Sequence, residues 1–298
     1  MTSKRVAISG ASGLIGGALS AFLTTRGDEV VHLVRREPRT ESEIVWDPVA
    51  RTLDPAALEG VDAVVHLAGA GVADKRWTPA YQQEILRSRS DGTATIATAV
   101  AAHGDRIRLV SGSAVGVYGS DRGDEVLTEE SASGAGFLAD VVRAWESATK
   151  AAVDAGASVA MARTGLVMSP AAGAFAPLVQ LGRLGLGGPL GSGKQYWPWI
   201  TLGDEVRALA HLVDHPDVTG PVNLVGPDPV PQIEVSRELG RQLHRPAILP
   251  APAFALRIIV GGFASDILGS QRVMPTVLAA SGFTHEQSTL AAAIATLL

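Results

Sequence analysis

The chain has 298 residues, 46% of them hydrophobic and 18% charged, with a formal net charge of -5 and no cysteine. That size supports a large buried core, as one big domain or two ordinary ones, and the absence of thiols excludes disulfides, thiolate nucleophiles and cysteine metal sites. The mild negative charge, with both signs interspersed, argues against a nucleic-acid or acidic-membrane partner. The start, MTSKRVAIS, runs straight into a strand-like segment without the pattern of a secretory leader. No apolar run approaches the roughly 20 residues that span a bilayer. A cytoplasmic chain without membrane segments is expected.

In chain order, RVAISG reads as a strand and is followed by a helix from about Gly13 to Thr25. DEVVHLVRR, DAVVHLAGA, IRLVSGS and SVAMARTGLV are further short apolar strands. Between them PAYQQEILRSRSDGTATIATAVAA and GFLADVVRAWESATKAAVDAG carry apolar residues near a 3.6-residue period. Strands alternating with amphipathic helices imply parallel strands buried on both faces, a doubly wound α/β sheet. WDPVARTLDP interrupts as a hairpin-like excursion. From about Ser169, PAAGAFAPLVQLGRLGLGGPLGSGK is too irregular for a regular element and too apolar for a simple linker. WPWITLGDEVRALAHLVDHP gives a strand and a helix, GPVNLVG another strand, and the remainder is helix-rich with strand-like RPAILPAP within it. The expected organisation is a doubly wound α/β domain over 1–169 with a return segment near 200–225. A smaller, helix-rich C-terminal substrate or lid domain is expected over 170–199 and 226–298.

The glycines Gly10, Gly13 and Gly16 follow the first strand and open a helix. Such a turn brings backbone N–H groups and a helix N-terminus against a pyrophosphate. Gly10, Ser12, Gly13, Leu14, Ile15 and Gly16 are therefore expected to hold a dinucleotide. The lack of a Lys-Ser/Thr pair after the glycines disfavours a P-loop. The second strand ends in Arg35 and Arg36, where an NAD-preferring site would carry an acid for the ribose 2′-OH. Guanidinium groups fork onto a 2′-phosphate, so NADP(H) is expected; the alternative is solvated surface charge.

The motifs ISGASGLIG, DAVVHLAGA, SGSAVGVYG and ARTGLV, in this order, resemble the extended short-chain dehydrogenase/reductases, the NAD(P)-dependent epimerase/dehydratase superfamily. ADKRWTP, ILRSRSDGT, GFLADVVRAWE, LGLGGPLGSGKQYWPWI and SQRVMP are similar to an atypical epimerase-like subgroup of it. The resemblance implies a Rossmann domain holding NADP(H) and a C-terminal domain closing over a substrate cleft. It also implies cofactor contacts from Leu67, Ala68, Gly69, Arg89, Ser111, Arg163 and Thr164. Typical members add a Ser and a Tyr-x-x-x-Lys pair for proton transfer. Here Ser113 supplies the serine, but Phe137 and Leu138 face the tyrosine position and Val141 and Val142 the lysine position. Tyr118 is a candidate replacement.

Trp77, Lys194, Gln195 and Trp199 are candidate substrate contacts, with core packing as the alternative for each tryptophan. His66 is expected in the core. His211 and His215 lack the intervening Glu of a zinc helix, so no metal site is expected. Asp121, Asp124, Glu129 and Glu130 read as a solvated run. Two functions stand: an NADP(H)-dependent reductase or epimerase acting on a small polar or nucleotide-sugar-like substrate, and an NADP(H)-binding regulatory module that meets a metabolite or protein without turnover.

Overall fold

The computed structural model describes residues 3–173 and 175–298. Seven parallel strands form one sheet: β1 (Arg5–Ser9), β2 (Glu29–Val34), β3 (Glu43–Val45), β4 (Ala63–His66), β5 (Arg108–Ala114), β6 (Val159–Thr164) and β7 (Gly220–Leu224). Their order across the sheet is β7-β6-β5-β4-β1-β2-β3. The helices that matter here are α1 (Leu14–Arg26), α2 (Pro79–Ala101), α3 (Phe137–Ser147), α4 (Phe175–Arg183), α5 (Leu202–Asp214), α6 (Gln232–Leu243) and α7 (Ala253–Val260).

Successive side chains of a strand point to opposite faces, and both faces here are apolar. Val6, Ile8 and Val65 pack with Leu19 and Leu23 of α1 and Leu209 and Leu212 of α5. Ala7, Val31 and Val64 pack with Ile96, Ala97 and Val100 of α2. The strand order reverses between β1 and β4, and in a doubly wound sheet that switch point is where a crevice opens beyond the carboxyl ends of the strands. A second core gathers Phe175, Val179, Trp197, Trp199, Val235, Leu239 and Ile294. It joins α4 and α6 to the C-terminal residues.

Several local expectations need correction. The edge strand β3 is additional; it is only three residues long and pairs with β2 from Glu43 to Val45. The long helical run after Gly136 breaks at Ser147, and a separate turn of helix covers Lys150–Asp154. There Thr149 Oγ1 donates to the Glu146 carbonyl at 2.7 Å, a side-chain bond that competes with helix propagation. The Gly- and Pro-rich segment is not wholly irregular, because α4 folds inside it around buried Phe175 and Val179. RPAILPAP forms no strand; it makes an isolated bridge from Ala251 to Leu190 and a backbone bond from Leu249 to the Gly187 carbonyl, and Ile248 is 76% exposed. WDPVARTLDP does turn back on itself, through an antiparallel Asp47–Thr52 bridge. Among the described residues no helix is long and apolar enough to cross a membrane.

Candidate functional site

A cleft of about 1280 Å³ opens at the switch point, lined by Gly10 to Gly13, the end of β2 with Arg35 and Arg36, and Leu67 to Ala70. Its glycine turn depends on missing side chains. Gly10 has φ +75, and a Cβ there would lie 2.9 Å from Ala68 N; a Cβ on Gly16 would lie 2.3 Å from the Gly10 carbonyl oxygen. Helix α1 then starts with Gly13 as its N-cap, no side-chain cap and no acid in its first turn. The first-turn amides of Leu14, Ile15 and Gly16 are thus presented without a competing carboxylate, the arrangement that favours an anion. The residues present fit a dinucleotide pyrophosphate.

The two arginines differ. Arg36 is held by Glu43 of β3, with Nη1 to Oε2 at 2.8 Å and Nη2 to Oε1 at 2.5 Å. That guanidinium, with the Arg39 amide, holds the Glu43 carboxyl down at about 2. Arg35 lines the cleft, exposed, without an ion pair or side-chain hydrogen bond among the described residues. Arg87 of α2, not anticipated from the sequence, also lines it.

On the opposite wall, Ser9 Oγ accepts the amides of Leu67 and Ala68 at 3.1 and 3.3 Å and lies 2.6 Å from His66 Nδ1. With two amides already donating to the oxygen, the serine proton goes to Nδ1, which leaves the hydrogen of the neutral imidazole on Nε2. His66 is fully buried, and burial with the nearby Arg89 charge pushes it down to about 3. Arg89 Nη1 donates to the Ala70 carbonyl at 2.7 Å, and the guanidinium stacks 5.0 Å from the Trp145 ring centroid. It has no carboxylate partner among the described residues, and burial lowers it to about 10.

Beyond Ala70, at the ends of β5 and β6, the polar groups answer one another. Ser113 Oγ donates to Glu146 Oε1 at 2.7 Å. Arg163 grips the same carboxylate with Nε at 2.8 Å and Nη2 at 2.9 Å, and its Nη1 reaches Tyr118 OH at 3.1 Å. Tyr118 OH in turn donates to Asn223 Oδ1 at 2.8 Å. Burial opposes the Arg163 charge, but Glu146 more than offsets it and the net shift is upward; burial raises the Tyr118 phenol. Thr164 Oγ1 donates to Glu205 Oε1 at 2.7 Å, and burial pushes that carboxyl up to about 8.

A family model described as the NAD dependent epimerase/dehydratase family matches residues 6–226. The chain belongs to that family. A second model, a domain of unknown function (DUF1731), matches residues 251–297. Epimerase family protein Mb2239 of Mycobacterium bovis is 43% identical over 295 residues, which are 99% of this chain and 97% of that protein. The crystal structure of human epimerase family protein SDR39U1 (isoform 2) with NADPH matches with a TM-score of 0.90 at 31% identity, covering 98% of both chains. MoeE5 in complex with UDP-glucuronic acid and NAD matches with a TM-score of 0.76 at 25% identity, covering 98% of this chain and 97% of that one.

Within this epimerase/dehydratase chain, the expected site residues divide. Gly10, Ser12, Gly13, Arg35, Arg36, Leu67, Ala68 and Gly69 line the cleft, and Arg89 lies directly beneath Gly69. Ser111 does not; it is 1% exposed and its hydroxyl turns to the Gly112 carbonyl. Arg163 and Tyr118 are locked in the buried network, so Tyr118, at 0% exposure, is a strut and not the candidate proton donor. Gln195 and Trp199 are corrected from substrate contacts to core. Gln195 Nε2 donates to the Leu190 carbonyl at 2.9 Å, and Trp199, 1% exposed, donates Nε1 to the Asp228 carbonyl at 2.8 Å. Lys194 is exposed. Glu129 is not solvated like its neighbours, since its Oε1 accepts the Asn223 and Val277 amides. The residue missed was Glu146, although its spacing from Leu138 and Val142 (i, i+4, i+8) puts one carboxylate on an otherwise apolar helix face, a sign of a buried cation opposite. Among the described residues no group of three or more metal-ligating side chains converges.

Proposed function

We propose that this chain is an NADP(H)-binding oxidoreductase of the epimerase/dehydratase family, with the cofactor in the switch-point cleft. The observation that carries the reading is Arg35: an exposed guanidinium at the end of β2, facing the cleft, while Arg36 is already engaged by Glu43. A 2′-phosphate suits it, and the end of β2 carries no acid of the NAD type. The NADPH in the human relative supports the same choice. The α1 first turn and Ser12 would hold the pyrophosphate, Arg35 the 2′-phosphate, and Leu67 to Ala70 with Arg89 the further wall. Bound there, the nicotinamide supplies reversible hydride transfer. The chain's own contribution to proton handling is Ser113, whose hydroxyl Glu146 orients; α3 carries neither Tyr nor Lys. The small polar or nucleotide-sugar-like substrate of the sequence reading loses support once Gln195 and Trp199 are spent inside the core.

Titration with NADPH and NADH tests the cofactor. A charge-assisted phosphate contact of about 1.5–3 kcal/mol predicts a preference for NADPH of roughly ten- to a hundred-fold, removed by Arg35→Asp. Equal affinities in the unaltered protein would end the reading. A second reading, cofactor binding without turnover, is favoured by one observation: the Ser113 proton is already donated to a carboxylate that Arg163 fixes. A screen of carbonyl compounds for NADPH oxidation separates the two, because the binding module stays inert across it.

A further inference from the structure

Beyond Ala70, where the cleft lining ends, lies a surface of aromatic and aliphatic side chains. From the cleft-lining Ala70 the loop runs through Val72, whose carbonyl accepts Trp77 Nε1 at 2.7 Å. The Trp77 ring meets Phe137, the first residue of α3, at 5.0 Å between centroids and Phe263 at 6.0 Å. Next along α3, Leu138 packs over Gly116, just beyond the strand that carries Ser113. On the C-terminal side α7 buries none of its residues and leaves Phe254, Ile258 and Ile259 at least two-thirds exposed. Arg76 Nη2 donates to the Ile258 carbonyl at 3.1 Å and so ties α7 to the Trp77 segment. Three separate stretches of chain thus bring apolar surface together at the position where the resemblance expects a catalytic phenol and ammonium.

A nucleotide sugar brings a diphosphate and several hydroxyls, and each must find a donor or a cation when it leaves water. Three of the polar side chains nearby are spent. Tyr81 OH donates to the Gly71 carbonyl, Gln271 Nε2 to the Gly119 carbonyl, and Ser113 to Glu146. We infer that the substrate subsite receives a molecule whose bulk is apolar, an aromatic or alkyl carbonyl compound, held by Trp77, Phe137, Phe263 and Ile258. The inference rests on the reading that the adjoining cleft holds NADP(H). Phe263 and Ile258 lie in the stretch matched by the domain of unknown function, which gives that stretch a role as the apolar wall.

The experiment is equilibrium binding of acetophenone, decanal and UDP-glucose to the full chain, with and without saturating NADPH, with NADPH affinity recorded on the same samples. Acetophenone and decanal are expected to bind saturably and UDP-glucose not to bind at matched concentration. Removing one apolar anchor by Phe263→Ser or Ile258→Ser is expected to weaken the apolar probes about tenfold and leave NADPH affinity unchanged, which also shows that the variants fold. Leu184→Ser, at an exposed leucine of a different segment, leaves all binding as it was. UDP-glucose binding with the apolar probes silent would overturn the inference. So would apolar binding indifferent to both substitutions, or weakened equally by Leu184→Ser. Failure of the cofactor reading shows itself separately, as absent NADPH binding in samples where the probes still report on the subsite.

Discussion

At its nucleotide end the cleft leaves donors unanswered: the first-turn amides of α1 have no cap, and the Arg35 guanidinium has no partner among the described residues. Beyond Ala70, at the carboxyl ends of β5 and β6, Ser113, Glu146, Arg163, Tyr118 and Asn223 form a chain of hydrogen bonds in which each side chain answers the next. Unanswered donors mark a surface built to meet a ligand, because their desolvation is compensated only when the ligand arrives. A saturated buried network rigidifies the scaffold and keeps little in reserve for a substrate. The family fold is thus kept at both ends, while the polar chemistry available to a ligand is concentrated at one.

The contrast breaks first, and with the largest effect, at Glu146. Glu146→Ala strands a guanidinium whose side chain is 8% exposed, and losing one partner of a buried pair costs about 3–5 kcal/mol. Calorimetry should show a steep fall in Tm while the surviving folded fraction keeps its NADPH affinity. A Tm close to that of the unaltered protein would mean that the network is not holding the reaction end.

Glu205 gives a pH-dependent version of the same test. Folded, its carboxyl keeps its proton up to about 8, against an ordinary value of 4.5. Between those values the folded state binds more protons than the unfolded one, so stability from this group falls as pH rises through that window and is level on either side. Glu205→Gln should remove the slope, melting above the unaltered protein near pH 8 and converging with it near pH 4.5. Parallel melting curves for the two proteins would show Glu205 ionised in the fold.

A smaller effect sharpens the nucleotide end. Arg36→Ala should weaken NADPH binding less than Arg35→Ala does, because Arg36 is already engaged by Glu43. Titration of both variants decides it, and the reverse order would mean that the Glu43 pair opens to admit the phosphate. The smallest change is expected from Ser113→Ala, which leaves the Glu146–Arg163 pair in place. Tm should move little, and NADPH oxidation should fall only if the oxidoreductase reading holds.

The sheet was legible because Val6–Ile8, Val64–Val65 and Leu109–Val110 are short apolar runs set between helical periods, the pattern of parallel strands covered by helices on both faces. The edge strand was not, since Glu43–Val45 is too short to show a period. Helix α4 was masked by the glycines and prolines around Phe175–Val179. At the site, the glycine loop and the arginine pair could be read from local spacing. That Arg36 is consumed required knowing that β3 lies beside β2, a long-range fact. Gln195 and Trp199 were misread because an amide and an indole suit a buried hydrogen bond as well as a ligand. Only their carbonyl partners at Leu190 and Asp228 separate the two.

The Ser9–His66 contact fixes one more property of the cleft. An imidazole held near 3, with its Nε2 hydrogen directed into a pocket shared with Trp46, whose ring stands edge-on at 5.8 Å, is electrically silent throughout neutral and mildly acidic conditions. The wall that carries Leu67 and Ala68 therefore takes no charge from His66, and its fixed cation is Arg89 beneath Gly69. A histidine at the centre of the fold thus behaves as a spacer.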